Sequence, residues 1–357
     1  MTAHKTDFRV LIVDDSPLAR SVIRSILETD PGIEVVGEAV NGQEGIEQAW
    51  ALRPSLITMD LKMPVMDGVE AIAEIMCANP VPILVVSSIA DAKEACEAIA
   101  HGALDAVVKP EMDEESAAAF IAKVKMLSGI KVITHLRPRP QGSQAIMKTA
   151  EDSPPGPQAK EPDARPIFAI ATSTGGPQAL AYILGELPAD FPCPVLISQH
   201  IADGFAGGMS DWLSTTCKLP VLLAKDGADI LGGYVYLSPS ELNLSVTPTY
   251  RIALLARQAG EIYHPTCDVL LSSVAAVFGT RSIGIILTGM GHDGAEGMAK
   301  IQAAGGTTVA QDEASSVIFG MNQVAIKRGV IGKVAALKDI PACMIRLAQG
   351  RSIDGAK

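Results

Sequence analysis

The chain has 357 residues, too many for one ordinary domain of roughly 150, so two domains are expected. Hydrophobic residues make up 48% of it and aromatics only 4%, which points to cores of Val, Ile, Leu, Ala and Met as in parallel α/β folds. The net charge of −11 argues against a nucleic-acid partner, because binding a phosphate backbone needs a basic surface. The six cysteines stand singly, without the close pairs of zinc or redox motifs, and read as reduced residues. The N-terminus runs straight into a strand, with no signal-peptide core and no apolar run long enough to span a bilayer. A cytoplasmic protein that is not inserted in a membrane is expected.

From Arg9 the chain reads Val10-Leu11-Ile12-Val13, a buried strand ending in Asp14-Asp15, then a helix with Ser16 as N-cap and Pro17 at its first position. Strand and helix then alternate over 33–38, 42–50, 55–59, 68–76, 81–86, 92–101, 106–108 and 116–127. This (βα)5 pattern predicts a parallel sheet covered on both faces, a flavodoxin-like, doubly wound α/β unit. The chemistry collects at the carboxyl ends of the strands: Asp14 and Asp15 after the first, Asp60 after the third, Ser87 at the fourth, Lys109 after the fifth. Any one of these could simply cap the next helix. Three carboxylates converging on one edge repel unless a cation joins them, and hard oxygen ligands beside a lysine suit Mg²⁺ plus an anion.

Asp14-Asp15, the run from Asp60 to Gly68 (Asp-Leu-Lys-Met-Pro-Val-Met-Asp-Gly), Ser87-Ser88 and Lys109-Pro110 resemble the signature of a two-component receiver domain, here over about residues 7–127. The resemblance implies Asp60 as phosphoacceptor, Asp14, Asp15 and Asp60 as ligands of the Mg²⁺ used in phosphorylation, and Ser87 and Lys109 as phosphoryl contacts. It implies a histidine kinase as phosphodonor. One position departs: Ala106 stands where receivers usually carry an aromatic switch residue, so the signal is expected to travel through Ser87 and its adjoining backbone.

Residues 128–165 are rich in proline, glycine and charge and cannot build a core, so a semi-extended linker is expected there. Beyond it, the apolar run 166–171 breaks into a helical pattern through Thr172-Ser173-Thr174-Gly175-Gly176-Pro177. Glycines at such a turn allow positive φ, and the first N–H groups of the helix point into the gap. Two uses fit: a phosphate cradle, or a serine nucleophile beside its oxyanion hole. A purely structural turn is the plainer reading. The stretch matches neither the lysine-bearing phosphate loop nor the Gly-x-Ser-x-Gly elbow.

Two further strand-like runs end in notable residues, Pro194 to Gln199 in His200 and Ile283 to Thr288 in Asp293. Parallel strands in one sheet would bring Ser173, His200 and Asp293 to the same edge, as nucleophile, base and orienter of acyl transfer. His292 ranks below His200 as the base because it abuts Asp293 in sequence, and His264 ranks third. Runs at 232–237, 242–244 and 251–254 read as an antiparallel ribbon on the edge of this second, mostly parallel α/β sheet.

Ser173-Thr174-Gly175-Gly176-Pro177, Gln199-His200, Pro265-Thr266-Cys267-Asp268-Val269-Leu270 and Thr288-Gly289-Met290-Gly291-His292-Asp293-Gly294 resemble the catalytic domain of the chemotaxis protein-glutamate methylesterases, here over about residues 166–348. The resemblance implies a catalytic set of Ser173, His200 and Asp293, with backbone N–H groups of Thr174 and Met290 in the oxyanion region and no cofactor for the esterase reaction. It implies hydrolysis of glutamate methyl esters on methyl-accepting chemotaxis receptors and deamidation of receptor glutamines. A monomer acting at membrane receptors is expected, with the unphosphorylated receiver covering the active-site edge. Thr172, the Ile201-Ala202-Asp203 turn and Asn322-Gln323 depart from the family pattern, and Asp203 places a carboxylate near His200 in sequence. Two other classes compete with this reading. A receiver-linked transcription factor lacks a basic recognition helix here. A phospho-regulated scaffold with a vestigial esterase site is distinguished only by activity.

Overall fold

The computed structural model describes residues 7–130 and 165–352. Most of the predicted 128–165 linker lies outside the described residues. The described residues form two sheet-based units in chain order, one on a five-stranded sheet (residues 8–128) and one on a seven-stranded sheet (residues 167–348).

The first unit runs β1 (Phe8–Val13), α1 (Pro17–Leu27), β2 (Ile33–Ala39), α2 (Gly42–Leu52), β3 (Leu56–Met59), α3 (Gly68–Ala78), β4 (Ile83–Ser87), α4 (Ala92–Ala100), β5 (Asp105–Val108) and α5 (Glu114–Ser128). All neighbouring strands pair in parallel, in the order β2-β1-β3-β4-β5. That is the predicted doubly wound topology, with its order reversing between β1 and β3. The central strands carry continuous apolar runs because both sheet faces are covered there: Val10, Leu11, Ile12 and Val13 are at most 1% exposed. Each such side chain contributes about 1.5–3 kcal/mol by leaving water. Helix starts are set locally. The Ser16 hydroxyl accepts from the Ala19 N–H with Pro17 following, and Asn41, Asp67 and Asp113 cap α2, α3 and α5 in the same way.

The second unit runs β6 (Ile167–Thr172), α6 (Gly176–Glu186), β7 (Val195–Gln199), α7 (Phe205–Thr216), β8 (Val221–Leu223), β9 (Val235–Leu237), β10 (Leu242–Val246), β11 (Ile252–Ala256), α8 (Cys267–Phe278), β12 (Ser282–Ile286), α9 (Ala295–Ala303), β13 (Thr307–Gln311), α10 (Met321–Lys327), β14 (Lys333–Ala335) and α11 (Ile340–Ala348). Its sheet has the order β14-β13-β12-β6-β7-β9-β8, and every pairing in it is parallel. The antiparallel ribbon is narrower than the sequence suggests. It consists of β10 and β11 alone, with Leu244 opposite Leu254, and forms a separate two-stranded sheet. β9 instead enters the main sheet between β7 and β8. Its residues Val235, Tyr236 and Leu237 are all buried, so short range hairpin signals yield to burial on both faces. Among the described residues no helix is long and apolar enough to cross a membrane.

Candidate functional site

In the first unit the five predicted residues emerge at the carboxyl ends of the strands. Asp14 and Asp15 follow β1, Asp60 follows β3, Ser87 closes β4 and Lys109 follows β5. Lys109 Nζ lies 2.7 Å from Asp14 Oδ2 and 2.9 Å from Asp60 Oδ2. The second Asp60 oxygen accepts the Leu61 N–H at 2.8 Å. Burial pushes the Asp60 carboxyl above its ordinary value and the Asp14 charge adds to the rise, which the Lys109 hydrogen bond opposes without cancelling. For Lys109, burial acts downward, but the bonds to Asp14 and Asp60 outweigh it and hold the ammonium above its usual value.

Oxygens of Asp14, Asp15 and Asp60 all lie within 4.8 Å of one another. The buried Asp14 Oδ2 meets the Lys109 ammonium as an ion pair and no other donor among the described residues. An all-oxygen cluster of three carboxylates beside a single ammonium is the donor set of a hard divalent cation, so these residues fit Mg²⁺.

Ser87 is turned elsewhere. Its hydroxyl donates to Asp91 Oδ2 at 3.1 Å, Ser88 donates to the same oxygen at 2.5 Å, and Lys62 pairs with the other oxygen. Asp91 and Lys62 escaped the sequence reading. Their one signal was spacing, since Asp91 stands four residues after Ser87 and Lys62 two after Asp60. Ala106 sits in β5 opposite Val85, small and buried.

In the second unit β6 lies between β12 and β7, where the strand order reverses. Thr172 pairs with Gln199, and the His200 N–H donates to the Thr172 carbonyl at 3.0 Å, so Ser173 and His200 are the first residues past the same rung. The Gly176 N–H closes the turn onto the Ser173 carbonyl at 2.8 Å, and Gly175 has φ +78°, which favours glycine.

His200 Nε2 donates to Asp293 Oδ2 at 2.7 Å. The carboxylate only accepts, so this bond fixes the proton on Nε2 and leaves Nδ1 as the basic nitrogen. Asp293 also accepts the N–H groups of Cys267 (2.6 Å), Asp268 (2.9 Å) and Gly294 (2.9 Å). The first two open α8, whose own N-cap, Thr266, makes no side-chain cap bond. Asp293 therefore caps α8 from another loop. Asp268 returns the arrangement by accepting the Gly297 N–H of α9 at 2.6 Å.

The two carboxyls are driven apart. Burial acts to raise Asp293, but the His200 bond and charge and the N–H groups of α8 outweigh it and hold the group below its ordinary value. Burial, together with the charge of Asp293, pushes Asp268 up to about 6. Asp293 thus stays ionised opposite His200.

Tyr263 stacks on the His200 ring at 5.1 Å between centroids and 13° between planes, and meets His292 edge-on at 5.5 Å. Gly291 has φ +89°, and a Cβ there would stand 2.2 Å from the Tyr263 hydroxyl, so glycine lets the loop close over the ring. Of the three histidines, His200 is the one bonded to Asp293, while His292 packs on Tyr263. Met290, between Gly289 and Gly291, is half exposed on this loop. Cys267, buried with its Sγ 3.4 Å from His200 Nε2, and Tyr263 had no readable role in the sequence. Both lie on segments remote in sequence from His200, and only the packing of α8 and its approach loop against the strand ends brings them there.

A family model described as CheB methylesterase matches residues 168–344, and one described as response regulator receiver domain matches residues 10–121. A protein-glutamate methylesterase/protein-glutamine glutaminase 3 of Paramagnetospirillum magneticum is 50% identical over 354 residues, covering 97% of this chain and 98% of that protein. Similarly named proteins of Koribacter versatilis and Myxococcus xanthus are each 39% identical, covering 94% and 96% of this chain and 95% and 97% of their own lengths. With one model on each half and relatives that align over nearly the whole length, the chain belongs to the receiver-linked CheB methylesterase family, a family of carboxylic ester hydrolases.

Proposed function

We propose that this protein is a phosphorylation-activated serine esterase of the cytoplasm that hydrolyses glutamate methyl esters on methyl-accepting chemotaxis receptors and deamidates receptor glutamines. The observation that carries the reading is the His200–Asp293 pair, oriented by the N-terminus of α8 and standing one rung from Ser173. Ser173 Oγ attacks the ester carbonyl while His200 Nδ1 takes its proton. Asp293 stabilises the imidazolium, and backbone N–H groups of Thr174 and Met290 hold the oxyanion. The imidazolium returns its proton to the leaving methanol. Water, deprotonated in turn by Nδ1, then releases glutamate and restores Ser173. A glutamine side chain would follow the same course with ammonia as leaving group. The names of the relatives, which pair methylesterase with glutaminase, support both substrates.

The test is methanol release from methylated receptor membranes, with and without a small acyl phosphate and Mg²⁺. Release that rises with the phosphodonor supports both the reaction and its switch, and no release from any receptor preparation rejects the reading.

In the receiver, Asp60 is the proposed acceptor of a phosphoryl group from the chemotaxis histidine kinase, with Lys109 and Ser87 as its contacts. Asp14, Asp15 and Asp60 would hold Mg²⁺, which when bound neutralises charge on the carboxylates and the incoming phosphoryl oxygens. Asp60→Asn is expected to keep basal ester hydrolysis and lose its stimulation by phosphodonor. Full stimulation of that variant would sink the gating model.

Tyr263 acts here as a positioning residue for His200. Tyr263→Leu removes the stacked ring and is expected to lower kcat by about 10- to 100-fold, because small misplacements of a catalytic group are costly. KM should stay unchanged, and Tyr263→Phe should keep most of the rate. Wild-type kcat in the leucine variant would show that the stacking is incidental.

A further inference from the structure

Three side chains of different ligand chemistry converge in the second unit. His200 offers Nε2, Cys267 offers Sγ and Asp293 offers Oδ2, all three atoms lying within 4.8 Å of one another. Sγ is 3.4 Å from Nε2, and Oδ2 is 2.7 Å from it. In a tetrahedral zinc site with ordinary bond lengths, nitrogen, sulfur and oxygen ligands stand about 3.3–3.6 Å apart. The nitrogen–sulfur separation already meets this, and the nitrogen–oxygen separation needs a widening of under about 1 Å. The supporting contacts are those of a built site: Asp293 is fixed by three backbone N–H groups, and Cys267 is the first residue of α8.

We infer that His200, Cys267 and Asp293 form an inhibitory site for a borderline-soft divalent ion of the zinc type, one that converts the base of the esterase into a metal ligand. The sulfur selects against Mg²⁺, so this site and the receiver's all-oxygen cluster take different ions. On binding, the Cys267 thiol gives its proton to solvent. His200 stays neutral but moves its proton from Nε2 to Nδ1, because Nε2 now ligates. Asp293 is already ionised, so one proton is released per ion bound, and water completes the coordination. With Nδ1 protonated, His200 cannot accept the serine proton. The inhibitory effect rests on the proposed role of His200; the binding of the metal does not.

The test uses the full chain, freed of metal by a chelator and assayed without phosphodonor, so that phosphorylation of the receiver does not enter the activity readout. Co²⁺ is added as the spectroscopic probe and Zn²⁺ as the inhibitor. Expected are a sulfur-to-cobalt charge-transfer absorption that Zn²⁺ displaces, and inhibition of basal methanol release by Zn²⁺. Cys267→Val should abolish the absorption and raise the Zn²⁺ needed for half-inhibition by about 10- to 100-fold. Cys267→Ser, nearly isosteric, should also lose the absorption and guards against a folding defect in the valine variant. No charge-transfer band in the parent chain, or equal Zn²⁺ sensitivity in the parent and both variants, overturns the site. Absence of ester hydrolysis in the metal-free protein would instead reject the proposed function, while the cobalt spectrum still decides the binding.

Discussion

Ser173→Ala is expected to lower methanol release from methylated receptors by about 10³-fold or more, the loss that follows when a nucleophile acting as one unit with its base is removed. The argument starts from the backbone. β6 ends at Thr172, and the turn through Gly175 is held by the Gly176 N–H on the Ser173 carbonyl. Neither feature uses the serine side chain, so alanine keeps the turn and removes only Oγ. The residual rate should come from the oxyanion donors and substrate binding, without an acyl-enzyme. Phosphorylation of Asp60 gives an internal control, since it should proceed as in the wild type and show the variant to be folded. A variant that hydrolyses esters at the wild-type rate would remove Ser173 from the mechanism. One that loses hydrolysis but keeps normal signalling output would favour the scaffold reading.

Asp293→Asn is expected to reduce kcat by about 10⁴-fold through the wrong imidazole tautomer. Both carboxylate oxygens of Asp293 face donors: Oδ2 accepts from His200 Nε2 and the Cys267 N–H, Oδ1 from the Asp268 and Gly294 N–H groups. An asparagine must therefore point its NH₂ group at one donor pair. Facing His200, it asks Nε2 to accept, which moves the proton to Nδ1 and ends that atom's service as base. Facing Asp268 and Gly294, it opposes the Asp268 N–H at the start of α8 and the Gly294 N–H just ahead of α9 and leaves them unsatisfied, at about 1–3 kcal/mol. Steady-state kinetics alongside a thermal melt separates the outcomes. A large fall in kcat with a modest fall in melting temperature is the expected result, and wild-type kcat would show that Asp293 serves only as a helix cap.

The receiver half was readable because its information is local. Continuous apolar runs mark strands buried on both faces, Ser16-Pro17 and Asp67 mark helix starts, and a parallel βα repeat has few topologies open to it. With that topology, residues following strands must share an edge, and Asp14, Asp60 and Lys109 meet there. The Ser87–Asp91–Lys62 cluster was not readable, because a polar residue in a loop or short turn looks the same in sequence whether it faces water or a partner.

In the second half, the sequence by itself determined the residue types and the strand ends that carry them: serine, histidine and carboxylate each after an apolar run. It also determined the family, through motifs long enough to be specific. The sequence also ranks His200 first among the three histidines, but tertiary structure alone makes its bond to Asp293, since a hydrogen bond between residues 93 positions apart depends on the order of β12, β6 and β7. It alone placed β9 inside the sheet, against hairpin-like turn signals, because burial on both faces outweighs local turn preference. And it alone brought the N-terminus of α8, the Cys267 thiol and the Tyr263 ring to His200, by packing that no local pattern encodes.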